Sequence, residues 1–153
     1  MTIFQSDHAK GLYTPAIGYA AGDLMVSRFT YTFSVGAATT DIIELGILPA
    51  GTRIVDASVI TEGTFTGITA NIGIMSGTVG SKDTGRTSGS ELFSAVNLAT
   101  ATSSIQRLTG VSGILLSPAE TDRSIGLVVG GTVSAATSKV VTLLLFYAAP
   151  AAV

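Results

Sequence analysis

The chain has 153 residues, which suits one domain with a core of its own, and it has no cysteine, so disulfides and thiolate metal sites are excluded. Only 12% of residues are charged, the net charge is −2, and the eight Lys and Arg are scattered. This distribution excludes the basic patch of a nucleic-acid-binding protein. Gly, Ala, Ser and Thr are abundant where charged residues would be usual. This composition is typical either of a surface that a neighbouring molecule covers or of an ordinary Thr/Ser-rich β-surface.

Residues 1–22 mix aromatic and apolar side chains with glycines and follow no regular period. The segment is too glycine-rich for a helix and too aromatic for a disordered tail. We therefore predict an extended N-terminal arm over residues 1–22 and a single β-sandwich domain over residues 23–153. We expect the arm to pack outside its own sandwich, on a neighbouring molecule. The side chains predicted to form this interface are Phe4, Leu12, Tyr13, Ile17 and Tyr19.

The first predicted strand, residues 26–35, alternates strictly between polar and apolar side chains. Phe29, Tyr31 and Phe33 share one face of it. Core packing explains this aromatic face better than stacking on bases or sugars. The same period predicts strands at residues 41–48, 52–62 and 68–75, with Pro and Gly marking a turn after residue 48.

Alternation also assigns faces within residues 52–62. It groups Val55 with Ala57 and Val59 and puts Ile54 on the opposite face. In the second half of the chain, residues 77–90 are predicted to form a glycine-rich loop, residues 91–96 one helical turn, and residues 113–116 a short strand.

The last two predicted strands are residues 124–130 and 140–147. The final one is apolar on both faces, which is typical of a central strand. Seven or eight strands with turn signals and no long helix predict an all-β fold, an antiparallel two-sheet sandwich. The most apolar stretch, residues 140–153, stops short of the roughly 20 residues that a membrane span needs, so we expect no membrane partner.

Residues 80–87, GSKDTGRT, nearly match a phosphate-binding loop. Arg86 stands where that loop needs a lysine, and no βαβ unit surrounds it. His8 is the only histidine, and we interpret it as exposed and incidental, because a catalytic base must be held rigidly. The carboxylate pairs Asp41/Glu44 and Glu120/Asp122 fit turn caps. We predict no enzyme activity, no catalytic residue and no cofactor; calcium binding by Glu120 and Asp122 stays open.

Several segments of the chain resemble small structural proteins of tailed bacteriophages. The resemblance covers nearly the whole chain, but its motifs are strand and turn patterns, not catalytic signatures. The segments that carry it are GDL at residues 22–24, RFTYTF at 28–33, DIIEL at 41–45, LPAGTRIVD at 48–56, NIGIMSG at 71–77, GRT at 85–87, ELF at 91–93 and DRSIG at 122–126.

The resemblance implies a capsid decoration (cement) protein, some of which are jelly rolls that bind the shell as dimers or trimers at its symmetry axes. On this basis we expect a protein made in the host cytoplasm that binds the outer surface of the head. Its expected partners are the major capsid protein and other copies of itself, as a homodimer or homotrimer. The alternatives are another virion component, such as a head-fibre base or tail part, and a receptor- or carbohydrate-binding sandwich.

Overall fold

The computed structural model describes residues 1–13 and 23–148, and in them the chain forms two β-sheets with almost no helix. A single turn of 3-10 helix covers Thr100–Thr102. The strands are β1 (Ile3–Gln5), β2 (Leu24–Thr32), β3 (Ile42–Leu48), β4 (Arg53–Glu62), β5 (Thr69–Ile74), β6 (Phe93–Asn97), β7 (Gln106–Arg107), β8 (Arg123–Val129) and β9 (Val140–Ala148).

The two sheets have the strand order of a jelly roll with one added strand. One sheet runs β1-β3-β8-β5-β6 and the other β2-β9-β4-β7, so successive strands mostly lie in opposite sheets. Every pairing is antiparallel except that of β1 with β3. The predicted all-β sandwich is confirmed, and β9 is a central strand between β2 and β4, as its apolar sequence indicates.

The core lies between the sheets and is formed by the inward positions of the alternating strands. Phe29 and Phe33 are fully buried, and Tyr31 packs edge-on against Phe33 with ring centroids 5.1 Å apart. The aromatic face of β2 is therefore core, as predicted. A bulge in β4 between Ile54 and Asp56 changes the faces downstream. Consequently Ile54 is buried together with Ala57 and Val59, and the prediction that it faces away from them is wrong.

Two short segments differ from their predicted form. Residues 91–96, predicted as a helical turn, contribute to β6, which pairs with β5 at the edge of the sheet. Residues 113–116, predicted as a strand, lie in a turn that the Leu115 N–H closes by donating to the Val111 carbonyl at 2.9 Å. Both segments are too short for their periodicity to separate helix, strand and turn.

The described N-terminal residues lie against the sandwich. β1 adds to the edge of the five-stranded sheet beside β3, Ile3 is buried, and Phe4 packs against the main core. This differs from an arm that packs outside its own sandwich, because the backbone of residues 3–5 is paired within the chain. Residues 14–22, which include Ile17 and Tyr19 and adjoin the predicted domain boundary, are outside the described residues.

Candidate interaction site

A cleft of about 730 Å³ opens beside the two edge strands β1 and β2. The N-terminal residues form one wall, and the edge of β2 forms the other. Strand alternation sends Phe29 and Tyr31 of β2 into the core, while Arg28 is exposed. Tyr13 and Val35 add exposed apolar surface at the rim, 58% and 54% accessible.

Positive charge concentrates in this cleft although the chain as a whole is negative. Lys10, Arg28 and Lys82 line it, against the single carboxylate of Asp7 among the described lining residues. Lys10 forms an exposed ion pair with Asp7 at 3.5 Å. The side chains of Arg28 and Lys82 have no hydrogen bond or ion pair within the described part of the chain. We call this site the basic cleft; its free cations can bind carboxylates or other anions.

His8 lies in the wall of the basic cleft and is half-buried, not exposed as predicted. Its ring contacts the rings of Phe29, edge-on, and Tyr13, each with centroids 5.1 Å apart. Burial lowers the pKa of His8 more than the negative charge of Asp7 raises it. Nδ1 is buried and has no hydrogen-bond partner among the described residues. The lowered pKa favours the neutral form of the imidazole, which packs between the two aromatic rings.

A buried ion pair lies behind the basic cleft. The Arg86 Nη2 donates to Glu44 Oε1 at 3.1 Å and to Ser124 Oγ at 2.8 Å, and neither charged side chain reaches solvent. Glu44 also accepts from the Gly80 N–H at 3.0 Å and from the Gln5 side-chain amide at 2.8 Å. Gln5 lines the cleft, so one hydrogen-bonded network joins the cleft wall, β3 and β8.

Arg86 also fixes the shape of the loop that carries it. Its Nε donates to the Ser76 carbonyl at 2.8 Å, and its Nη1 donates to the Ser81 carbonyl at 2.7 Å. These bonds tie the start and the middle of residues 76–86 to the buried guanidinium at the end of the segment. The loop that nearly matches a phosphate-binding motif therefore has a structural role. Its Arg86 side chain faces inward and holds the loop in shape. This arrangement also holds Lys82 at the basic cleft.

The electrostatics of Glu44 follow from these contacts. Burial raises the pKa of Glu44, but hydrogen bonds from Arg86, Gln5, Ser124 and the Gly80 backbone outweigh it, so the pKa lies below its usual value. Sequence reasoning missed this role because it placed Glu44 at a turn with Asp41. The available signal is its position inside the apolar run of β3, where a buried carboxylate requires a partner.

Of the other predicted acidic positions, two cap turns. Asp41 accepts from the Thr2 and Ala38 N–H groups at 2.8 and 2.9 Å, and Asp122 accepts from the Ala50 N–H at 2.8 Å. Glu120 is exposed beside Asp122. Within residues 1–13 and 23–148, no group of three or more His, Asp or Glu side chains could hold a metal ion.

The predicted interface residues fall into different environments. Phe4 is half-buried against the core, while Leu12 and Tyr13 are exposed, at 66% and 58%, in the N-terminal wall of the cleft or next to it. Ile17 and Tyr19 are not described.

Among the helices of the described chain, none is long and apolar enough to cross a membrane.

Solved phage capsids contain chains that share this fold. A chain in the capsid of Ralstonia phage GP4 is 37% identical and superposes with a TM-score of 0.88 over 98% of this chain and 99% of that chain. A chain of the cyanophage Pam1 capsid asymmetric unit is 24% identical, with a TM-score of 0.63 over 90% and 92% of the two chains.

A third similar chain lies in the acid-stable capsid of Helicobacter pylori bacteriophage KHP30, with 15% identity and a TM-score of 0.58 over 88% of this chain and 94% of that chain. At these identities, the Pam1 and KHP30 matches show a shared fold. No protein-family model and no curated protein matches the chain. The match to the Ralstonia phage chain combines high identity with full coverage of both chains, so this chain belongs to a family of phage capsid proteins and is a structural component of a virion.

Proposed function

We propose that the chain is a decoration protein that binds the outer surface of a phage head and stabilises the capsid shell. The observation that carries this proposal is the end-to-end match to a chain of the Ralstonia phage GP4 capsid. Because the alignment covers almost all of both chains, that capsid chain is as small as this one. A small, rigid sandwich of this kind suits a component added to a shell.

The mechanism is a mechanical one. A shell under internal DNA pressure fails where neighbouring subunits separate. A protein that bridges several subunits must be detached before they part, so its binding free energy adds to the stability of the shell. The partners in this proposal are the major capsid protein and other copies of the chain, in a dimer or trimer. Binding at several symmetry-related contacts at once then gives avidity.

The surface chemistry of the chain supports apolar contacts with the shell. Charged residues are scarce, whereas apolar side chains such as Leu12, Leu24 and Leu115 are 62–75% exposed. Attachment should therefore depend weakly on salt, because few ion pairs are available to be screened. The proposal assigns the chain no catalytic step and no cofactor.

The test compares heads that carry the protein with heads assembled without it. Undecorated heads should release DNA at a lower temperature and be more sensitive to a chelator, and adding the purified chain back should restore resistance. Moderate salt should leave the protein attached. If undecorated heads resist heat equally well but adsorb poorly to host cells, stabilisation is not the role, and adhesion through the loops at residues 77–90 or 131–139 becomes the better explanation.

A further inference from the structure

A second exposed apolar surface lies on the opposite edge of the sandwich from the basic cleft. The segment that carries it, residues 109–122, follows β7, the last strand of its sheet. Val111, Ile114 and Leu115 are 66%, 44% and 75% exposed. We call residues 109–122 the far-edge loop.

The far-edge loop is anchored, so its apolar tip is presented in a fixed place. Gly113 is buried, and a Cβ there would lie 2.8 Å from a Leu92 methyl group, next to the edge strand β6. The Gly51 N–H donates to the Ala119 carbonyl at 2.7 Å at the other end of the loop. An ordered tip with three exposed apolar side chains is typical of a surface that another molecule covers.

The chemistry of this loop complements that of the basic cleft. The loop carries two carboxylates, Glu120 and Asp122, and no cation. The cleft carries the unpaired cations Arg28 and Lys82 and the exposed apolar rim of Tyr13 and Val35. Its volume of about 730 Å³ is enough to receive several side chains.

We propose that the far-edge loop of one copy binds in the basic cleft of a second copy. The proposal rests on the self-association included in the proposed function, and it specifies which surfaces meet. Because the two surfaces lie on opposite edges of the chain, the contact is head-to-tail, and repeated contacts close into a ring or continue as a filament. This contact cannot form a two-fold dimer. Of the two expected assemblies, it is compatible with the trimer and not with the dimer.

The decisive experiment mixes two variants of the full chain, each lacking one half of the contact. Leu115→Asp alters the exposed loop tip, and Arg28→Glu alters the exposed cleft wall. Thr66→Asp, in the exposed β4–β5 turn, is the matched control for added charge. Circular dichroism and thermal melts establish that each variant is folded, and sedimentation velocity with native mass spectrometry gives the size of the assemblies.

Wild type and Thr66→Asp should form the same closed ring at tens of micromolar. Each interface variant alone should associate at least ~10-fold more weakly. Their equimolar mixture should form heterodimers and no rings. The intact loop of the Arg28→Glu chain can bind the intact cleft of the Leu115→Asp chain, but no further intact surface then remains to extend the pair. A wild-type chain that stays monomeric, a Leu115→Asp chain that associates normally, or a mixture that fails to pair would each overturn the proposal. None of these results depends on whether heads need the protein for stability, so the two proposals fail separately.

Discussion

The Glu44 carboxylate and the Arg86 guanidinium lie 42 residues apart in sequence and meet at 3.1 Å, with both side chains removed from solvent. Removing two charges from water is costly, so such a pair is favourable only when hydrogen bonds satisfy the remaining donors and acceptors. Here Ser124, Gly80 and Gln5 bond to Glu44, and Ser76 and Ser81 bond to Arg86. Loss of either charge leaves the other buried without its counter-charge.

Replacing Arg86 with Met should lower the free energy of unfolding by about 3–5 kcal/mol, because Glu44 is then a buried unpaired charge. Urea unfolding at pH 7 measures the change. Arg107→Met is the control: it breaks the pair of Arg107 with Asp56, but the Arg107 side chain is 70% exposed, so the loss should stay below about 1 kcal/mol. Similar losses in the two variants would contradict a special role for the buried pair.

The lowered pKa of Glu44 predicts how stability depends on acid. A carboxyl whose pKa is depressed in the folded state stabilises the protein above its unfolded value, here 4.5, and loses that contribution as pH falls through the folded value. The contribution of Glu44 to the free energy of unfolding should therefore be complete above pH 5 and decrease progressively below pH 4.5. The gap between wild type and Glu44→Gln should narrow over the same acid range. A gap that stays constant from pH 7 to pH 3 would show that folding does not lower the pKa of Glu44.

Gly46 has no side chain, and the Phe29 ring occupies the space that a side chain would fill. A Cβ at residue 46 would lie 2.3 Å from that ring, and Phe29 is fully buried and cannot swing away. Gly46→Ala should therefore destabilise the fold by about 1–3 kcal/mol, as overpacked cores do. Gly110→Ala meets no atom within 4 Å and should leave the melting temperature unchanged or slightly higher. Equal melting temperatures for the two variants would argue against the close packing.

Ala95 has a left-handed backbone, with φ of 52°, in the edge strand β6. Its N–H is held by the Asn71 side chain, which accepts at 2.8 Å. Because a Cβ is disfavoured in this conformation, Ala95→Gly should stabilise the protein by up to about 1 kcal/mol. Ala38→Gly, at an exposed alanine without positive φ, should instead destabilise it slightly. Thermal denaturation of the two variants should give shifts of opposite sign.

The long strands could be predicted because each repeats its pattern several times. The alternation of Phe29 with Thr30 and Tyr31 marks β2, and the apolar run of β9 indicates its central place. β1 and β7 have three and two residues, too few to show a period. The basic cleft joins cations at residues 10, 28 and 82. The pairing of β1 with β3, the pairing of β2 with β9 and the hydrogen bonds of Arg86 all contribute to bringing them together. Contacts between residues so far apart in the sequence cannot be predicted from the alternation of polar and apolar residues within one segment.

The central position of β9 affects how the protein is made. β2 and β4 both bond to β9 and not to each other, and β9 is the last strand among the described residues. A nascent chain can therefore complete its four-stranded sheet only when residues 140–148 have left the ribosome. Until then, the inner faces of β2 and β4 have no shared partner, and folding must wait for contacts of long sequence separation. Synthesis that stops before residue 140 therefore yields a chain without the strand that joins β2 to β4, so its four-stranded sheet cannot form.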